Sequence, residues 1–158
     1  MSHETSIQLL HLLQDRIFIC TKISNKQTLL KQLVWAVCQA EPQLSVRPIL
    51  TQILARDKQI STTLDTGPAL PHIRVEGLER VVAALAVLPR PLTEGKGRSV
   101  KAVFLFLSPA RSEFFQTHLQ VLALLAKTFT PAFLQRLSQC SEVNQIKELL
   151  QAKSSDVK

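Results

Sequence analysis

The chain has 158 residues, 46% of them hydrophobic and 20% charged, with a formal net charge of +7. That suits one packed domain with a substantial core, and the longest apolar runs, 81–88 and 103–107, are far too short to span a bilayer. Lysines and arginines are spread thinly, aromatic residues make up 5%, and tyrosine is absent, so a specific nucleic-acid platform is not expected.

The N-terminus has no basic segment, and His11 breaks the apolar Leu9-Leu10 pair. No signal peptide or membrane insertion is therefore expected, and a cytoplasmic location is. Cys20, Cys38 and Cys140 are odd in number and widely spaced. They read as reduced packing thiols, with no disulfide frame, metal site or cofactor expected.

In chain order, residues 6–14 carry Ile7, Leu9, Leu10, Leu12 and Leu13 and predict a short amphipathic helix. Ile17-Phe18-Ile19-Cys20 predicts a strand. Ser24 with Gln27 is a capping-box pattern, so a helix is predicted from about Asn25. Its apolar face is Leu29, Leu30, Leu33, Val34, Ala36 and Val37, and Pro42 ends it. A second helix opens at Ser45 with Pro48 in its first turn and leaves through Arg56-Asp57-Lys58. Residues 60–70 are rich in Ser, Thr, Asp and Gly and predict a loop or irregular edge strand. Residues 80–88 predict a strand buried on both faces, closed by Pro89 and Pro91, with a turn over 93–98. Residues 99–107 predict a second such strand, ended by Ser108-Pro109.

The last third is helical. Ser112 caps a helix over 113–129 whose predicted stripe is Phe115, Leu119, Leu122, Leu125 and Ala126. Pro131 opens a short helix through Leu137, and a last helix after Ser141 carries Val143, Ile146, Leu149 and Leu150. A flexible tail is expected over 152–158, leaving a core of about 6–151. The predicted fold is α/β: one domain over 1–158, with a mixed sheet of about five strands flanked by helices on both faces.

Gly67-Pro68-Ala69-Leu70-Pro71-His72 stands out within this layout. Pro68 and Pro71 enforce extended backbone, and Gly67 permits a turn that a side chain would block. The result is an imidazole on a stiff platform. His118 lies on or beside the stripe of the long helix, whereas His3 and His11 sit near the terminus and are expected to face solvent. Two imidazoles suit phosphoryl transfer: one is a nucleophile at neutral pH and the other a donor to a phosphoryl oxygen. Arg56 or Arg74 could neutralise the phosphate. No nucleotide-binding loop is present, so the donor would be another protein or a small phosphate ester.

The landmarks Gly67-x-Ala69-Leu70-Pro71-His72, Ser108-Pro109-Ala110 and His118-Leu119 with Leu122 carry a resemblance, in this order, over residues 7–150. The chain resembles an enzyme IIA domain of the bacterial phosphotransferase system, of the fructose/mannitol class that includes the nitrogen-regulatory member. The resemblance implies that His72 accepts phosphate from an HPr-type carrier, that His118 contacts the phosphoryl group, and that Arg56 lies close by to neutralise it; Gly67 and Arg74 are further candidate binding positions. It also implies an enzyme IIB or regulatory target proteins as partners. A chain without attached transport domains leans towards the regulatory branch; a sugar-uptake IIA and a phosphorylation-independent binding module are the alternatives. Thr63 and Asp65 stand where the family's loop carries glycines, and Pro68 and Ile73 also depart from its pattern.

Overall fold

Two strands from the middle of the chain carry the architecture. In the computed structural model, which describes residues 7–23, 25–59, 61–95 and 97–156, β4 (Val82–Glu94) and β5 (Arg98–Pro109) form an antiparallel hairpin at the centre of a five-stranded sheet. β1 (Ile17–Ile19) adds to β4 in parallel. β2 (Pro68–Ala69) and β3 (His72–Val75) follow one another along the free edge of β5, also in parallel. The order is β1-β4-β5-β2, with β3 beside β2 on β5.

The pleat sends alternate side chains to opposite faces, and both faces are buried. Leu85, Val87, Phe104 and Phe106 meet α1 (Leu9–Leu13), α4 (Phe115–Thr128), α5 (Pro131–Ser138) and α6 (Val143–Asp156). Ala84, Ala86, Val103, Leu105 and Leu107 meet α2 (Lys26–Ala40) and α3 (Val46–Gln59). A strand covered twice needs apolar residues at every position, which is why the runs 82–88 and 102–107 lack charge. The structure is therefore the predicted single α/β domain, a mixed sheet with helices on both faces.

Several boundaries differ from the sequence reading. Pro89 and Pro91 do not close β4. The strand shifts register between Val87 and Leu92, then pairs on to Glu94 opposite Arg98, so an irregularity absorbs residues that cannot donate to the ladder. The cap of α2 is Asn25, whose side chain accepts from the Thr28 N–H at 2.8 Å; Ser24 lies outside the described residues. α1 is shorter than predicted. α6 remains helical through Asp156, where a tail is expected from residue 152. α4 is rotated: its buried residues are His118, Val121, Leu125 and Thr128, while Phe115, Leu119 and Ala126 are exposed.

Candidate active site

The β3–β5 register builds the site. His72 pairs with Phe106, and Arg74 with Ser108. Side chains two apart share a sheet face, so His72 and Arg74 on β3 lie beside Phe106 and Ser108 on β5. The His72 ring stacks on Phe106, with centroids 5.2 Å apart and planes 12° from parallel. α4 crosses the same face and delivers His118, whose ring centroid is 5.3 Å from that of His72 and 5.3 Å from that of Phe106.

Each imidazole is held through Nδ1. His72 Nδ1 is 2.5 Å from the Leu70 carbonyl oxygen. A carbonyl only accepts, so Nδ1 carries the proton and Nε2 keeps the lone pair. His118 Nδ1 is 2.5 Å from Ser108 Oγ, a fully buried hydroxyl. Burial lowers the pKa of His72; the Leu70 carbonyl opposes this and Arg56 adds to it. Burial also pushes His118 down to about 4, helped by the positive charges of His72, Arg74 and Arg56. At pH 7 both rings are neutral, one offering a nucleophilic nitrogen.

The two arginines differ. Arg56 lies in the last turn of α3, exposed and without a hydrogen bond or ion pair among the described residues, yet close enough to bias both histidines. Its guanidinium is available to an anion. Arg74 is committed to the chain: Nε and Nη2 donate to the Pro109 carbonyl, and Nη2 donates also to that of Arg111 at 2.6 Å. Its guanidinium carbon lies 5.5 Å from the Phe115 ring centroid. Arg74 thus fastens the junction between β5 and α4, and acts on His118 through its charge. Gly67 has a backbone role. Its φ is +119°, and an added Cβ would lie 2.9 Å from Lys101 Cδ.

The loop before His72 carries no left-handed strain at Thr63 or Asp65, since Gln14 is the only non-glycine with positive φ among the described residues. Thr63 is buried and bridges to Ala69. Asp65 is exposed, with Oδ1 4.0 Å from Arg98 Nε. Among the described residues no group of three or more His, Cys, Asp and Glu side chains could hold a metal, and no helix is long and apolar enough to cross a membrane. His11 is exposed, Cys38 and Cys140 are buried, Cys20 is half-buried, and all three thiols are free; His3 lies outside the described residues.

The model of the family described as phosphoenolpyruvate-dependent sugar phosphotransferase system, EIIA 2, matches residues 11–153. The chain belongs to this family. A nitrogen regulatory protein of Bradyrhizobium diazoefficiens is 29% identical over 115 residues, covering 72% of this chain and 73% of that protein. The crystal structure of the nitrogen regulatory protein IIA-Ntr of Neisseria meningitidis aligns with a TM-score of 0.78 at 25% identity, over 90% of this chain and 98% of that one. The IIA mannitol structure of Escherichia coli shares the fold, with a TM-score of 0.71 at 20% identity, over 87% and 96% of the two chains.

Phe106 is not among the sequence candidates, and Ser108 is there only a landmark of the resemblance with no role beside His118. Alternation along 104–108 puts Phe104, Phe106 and Ser108 on one face, and that was the signal available. What alternation alone does not give is the pairing of Phe106 with His72, which joins segments 34 positions apart.

Proposed function

We propose that this enzyme IIA family member is a phosphoryl carrier. In this reading His72 Nε2 accepts phosphate from a phosphorylated HPr-type carrier, and the phosphorylation state governs the binding of regulatory targets. The observation that carries the reading is the His72–His118 pair, with Nδ1 of His72 bound to a carbonyl and Nε2 left as the nucleophile. As the P–N bond to Nε2 forms, the donor's P–N bond breaks and its electron pair returns to the donor nitrogen. Nδ1 keeps its proton against Leu70. In this reading Ser108 Oγ–H donates to His118 Nδ1, so neutral His118 keeps its proton on Nε2 and donates a hydrogen bond from it to a phosphoryl oxygen, while Arg56 offsets the charge. The transferring group is largely metaphosphate-like, so positioned charge and donors supply most of the help. Phe115 and Leu119, exposed on either side of His118, form the apolar rim on which the carrier docks.

The regulatory branch is favoured by the relatives, since the curated matches are nitrogen regulatory proteins. The alternative is sugar uptake, with phosphate passed to a IIB partner; the mannitol IIA protein of Escherichia coli, 18% identical, has been solved in complex with phosphorylated IIB. Incubation with enzyme I, HPr and labelled phosphoenolpyruvate should give an acid-labile, base-stable label on the wild type and none on His72→Ala. Equal labelling of both, or of neither, would overturn the proposal.

A further inference from the structure

The Thr63 hydroxyl is built into a network. Thr63 Oγ1 donates to Glu94 Oε2 at 2.5 Å, and Ser61 Oγ donates to Glu94 Oε1 at 2.8 Å. Lys26 Nζ reaches Thr63 Oγ1 at 3.3 Å, Glu94 Oε1 at 3.1 Å and Asp57 Oδ1 at 2.8 Å. The Thr63 N–H donates to Ser61 Oγ, and its carbonyl accepts from Arg98 Nη1. The Lys26, Asp57 and Glu94 side chains are 11%, 18% and 23% exposed, so these bonds are better shielded than surface pairs. Burial acts to raise the Glu94 carboxyl, but hydrogen bonds from Thr63, Ser61 and Lys26, with the Lys26 charge, outweigh it and hold the group below its usual range.

The network continues to the site through backbone. Thr63 bridges Ala69, and next to that bridge the Leu70 N–H donates to the Thr62 carbonyl at 3.1 Å. The Leu70 carbonyl in turn holds His72 Nδ1. On the other side, Asp57 directly follows Arg56 in α3. One cluster therefore grips both the peptide that orients His72 and the helix end that presents the cation.

We propose that Thr63 is a positioning residue for His72. Its bond to Glu94 locks the loop against the β4–β5 hairpin, and through Thr62 and Leu70 it keeps the imidazole in the form with the proton on Nδ1. The hydroxyl acts as a tether for the loop. The kinetic consequence rests on the phosphoryl-carrier reading; the effect on the imidazole does not.

The test compares Thr63→Val, which keeps the shape and removes the hydroxyl, with Thr63→Ser, which restores it, in the full chain. Ring ¹⁵N shifts of His72 report its tautomer, and steady-state transfer from phosphorylated HPr reports its use. Thr63→Val should shift His72 towards a mixture of tautomers and lower the transfer kcat about tenfold with KM for the carrier unchanged. Thr63→Ser should return both readouts to wild type. Glu94→Gln, which weakens the same bond from its other end, should move them in the direction of Thr63→Val and keeps the test alive should that variant not fold. Wild-type ring shifts in Thr63→Val or Glu94→Gln would overturn the inference, as would a Thr63→Ser that behaves like Thr63→Val. Failure of the wild type itself to accept phosphate would sink the proposed function, while the ring shifts would still decide the role of Thr63.

Discussion

Burial, with positive neighbours, pushes the pKa of His118 down to about 4, and phosphorylation would reverse that environment. A phosphoryl group on His72 puts negative charge where the approach of cations now disfavours the imidazolium. A nearby opposite charge favours the charged form of a group, so the pKa of His118 should rise when His72 is phosphorylated. Following the His118 ring resonances against pH in the two forms checks this; an unchanged midpoint would mean that His118 does not contact the phosphoryl group. Truncation should separate the roles further. In the proposed carrier role His118 is a donor aimed at the transition state, so His118→Ala should slow transfer about a hundredfold, with little change in KM for the carrier, in single-turnover and steady-state assays. His72 itself, its pKa lowered by burial, should keep its rate of phosphate acceptance to more acidic pH than an unperturbed imidazole would, which a pH–rate profile checks.

Helix α4 explains how much of the site was legible from sequence. The proline-stiffened approach to His72 follows from local rules, since proline and glycine act on the backbone they sit in. The two central strands were legible because burial on both faces demands unbroken apolar runs. The rotation of α4 was not. Reading Phe115, Leu119, Leu122, Leu125 and Ala126 as the buried stripe assumes that the apolar side chains all turn inward, yet His118 turns inward to meet the buried Ser108 hydroxyl. The sequence places His118 on or beside the apolar stripe, and the buried positions His118, Val121, Leu125 and Thr128 do follow helical spacing. What the spacing does not give is that a polar partner on a distant strand makes this face, and not that of Phe115 and Leu119, the buried one. The exposed Phe115 and Leu119 are 52% and 48% accessible, enough to give a partner an apolar contact next to the site. Leu119→Asp should therefore raise KM for the phosphorylated carrier about tenfold, since a buried interface anchor contributes ~1–2 kcal/mol, and leave kcat near wild type. A fall in kcat with KM unchanged would instead place Leu119 outside the docking surface.

The fold as a whole links the chemistry of the site to stability. The sheet buries His72 and His118 where their charged forms are disfavoured, and the Thr63 cluster holds Glu94 ionised. These shifts act in the same direction but in different pH windows. For the histidines, the folded pKa is below the unfolded value of about 6.5. Between that value and about 4 for His118, the unfolded chain binds the proton and the native chain does not, so acid favours unfolding. Their contribution is fully present above pH 6.5 and is lost as pH falls through the folded pKa. For Glu94, also lowered, the contribution is present above the usual carboxylate range and is lost as acid protonates the folded form. The urea midpoint should thus decline from pH 6.5 downward, before carboxylates titrate, and decline further below about pH 4.5. His118→Asn should flatten the upper part of that decline, and Glu94→Gln the lower part. A wild-type midpoint that is constant from pH 7 to 5 would contradict the burial of neutral imidazoles, the feature on which the proposed nucleophile depends.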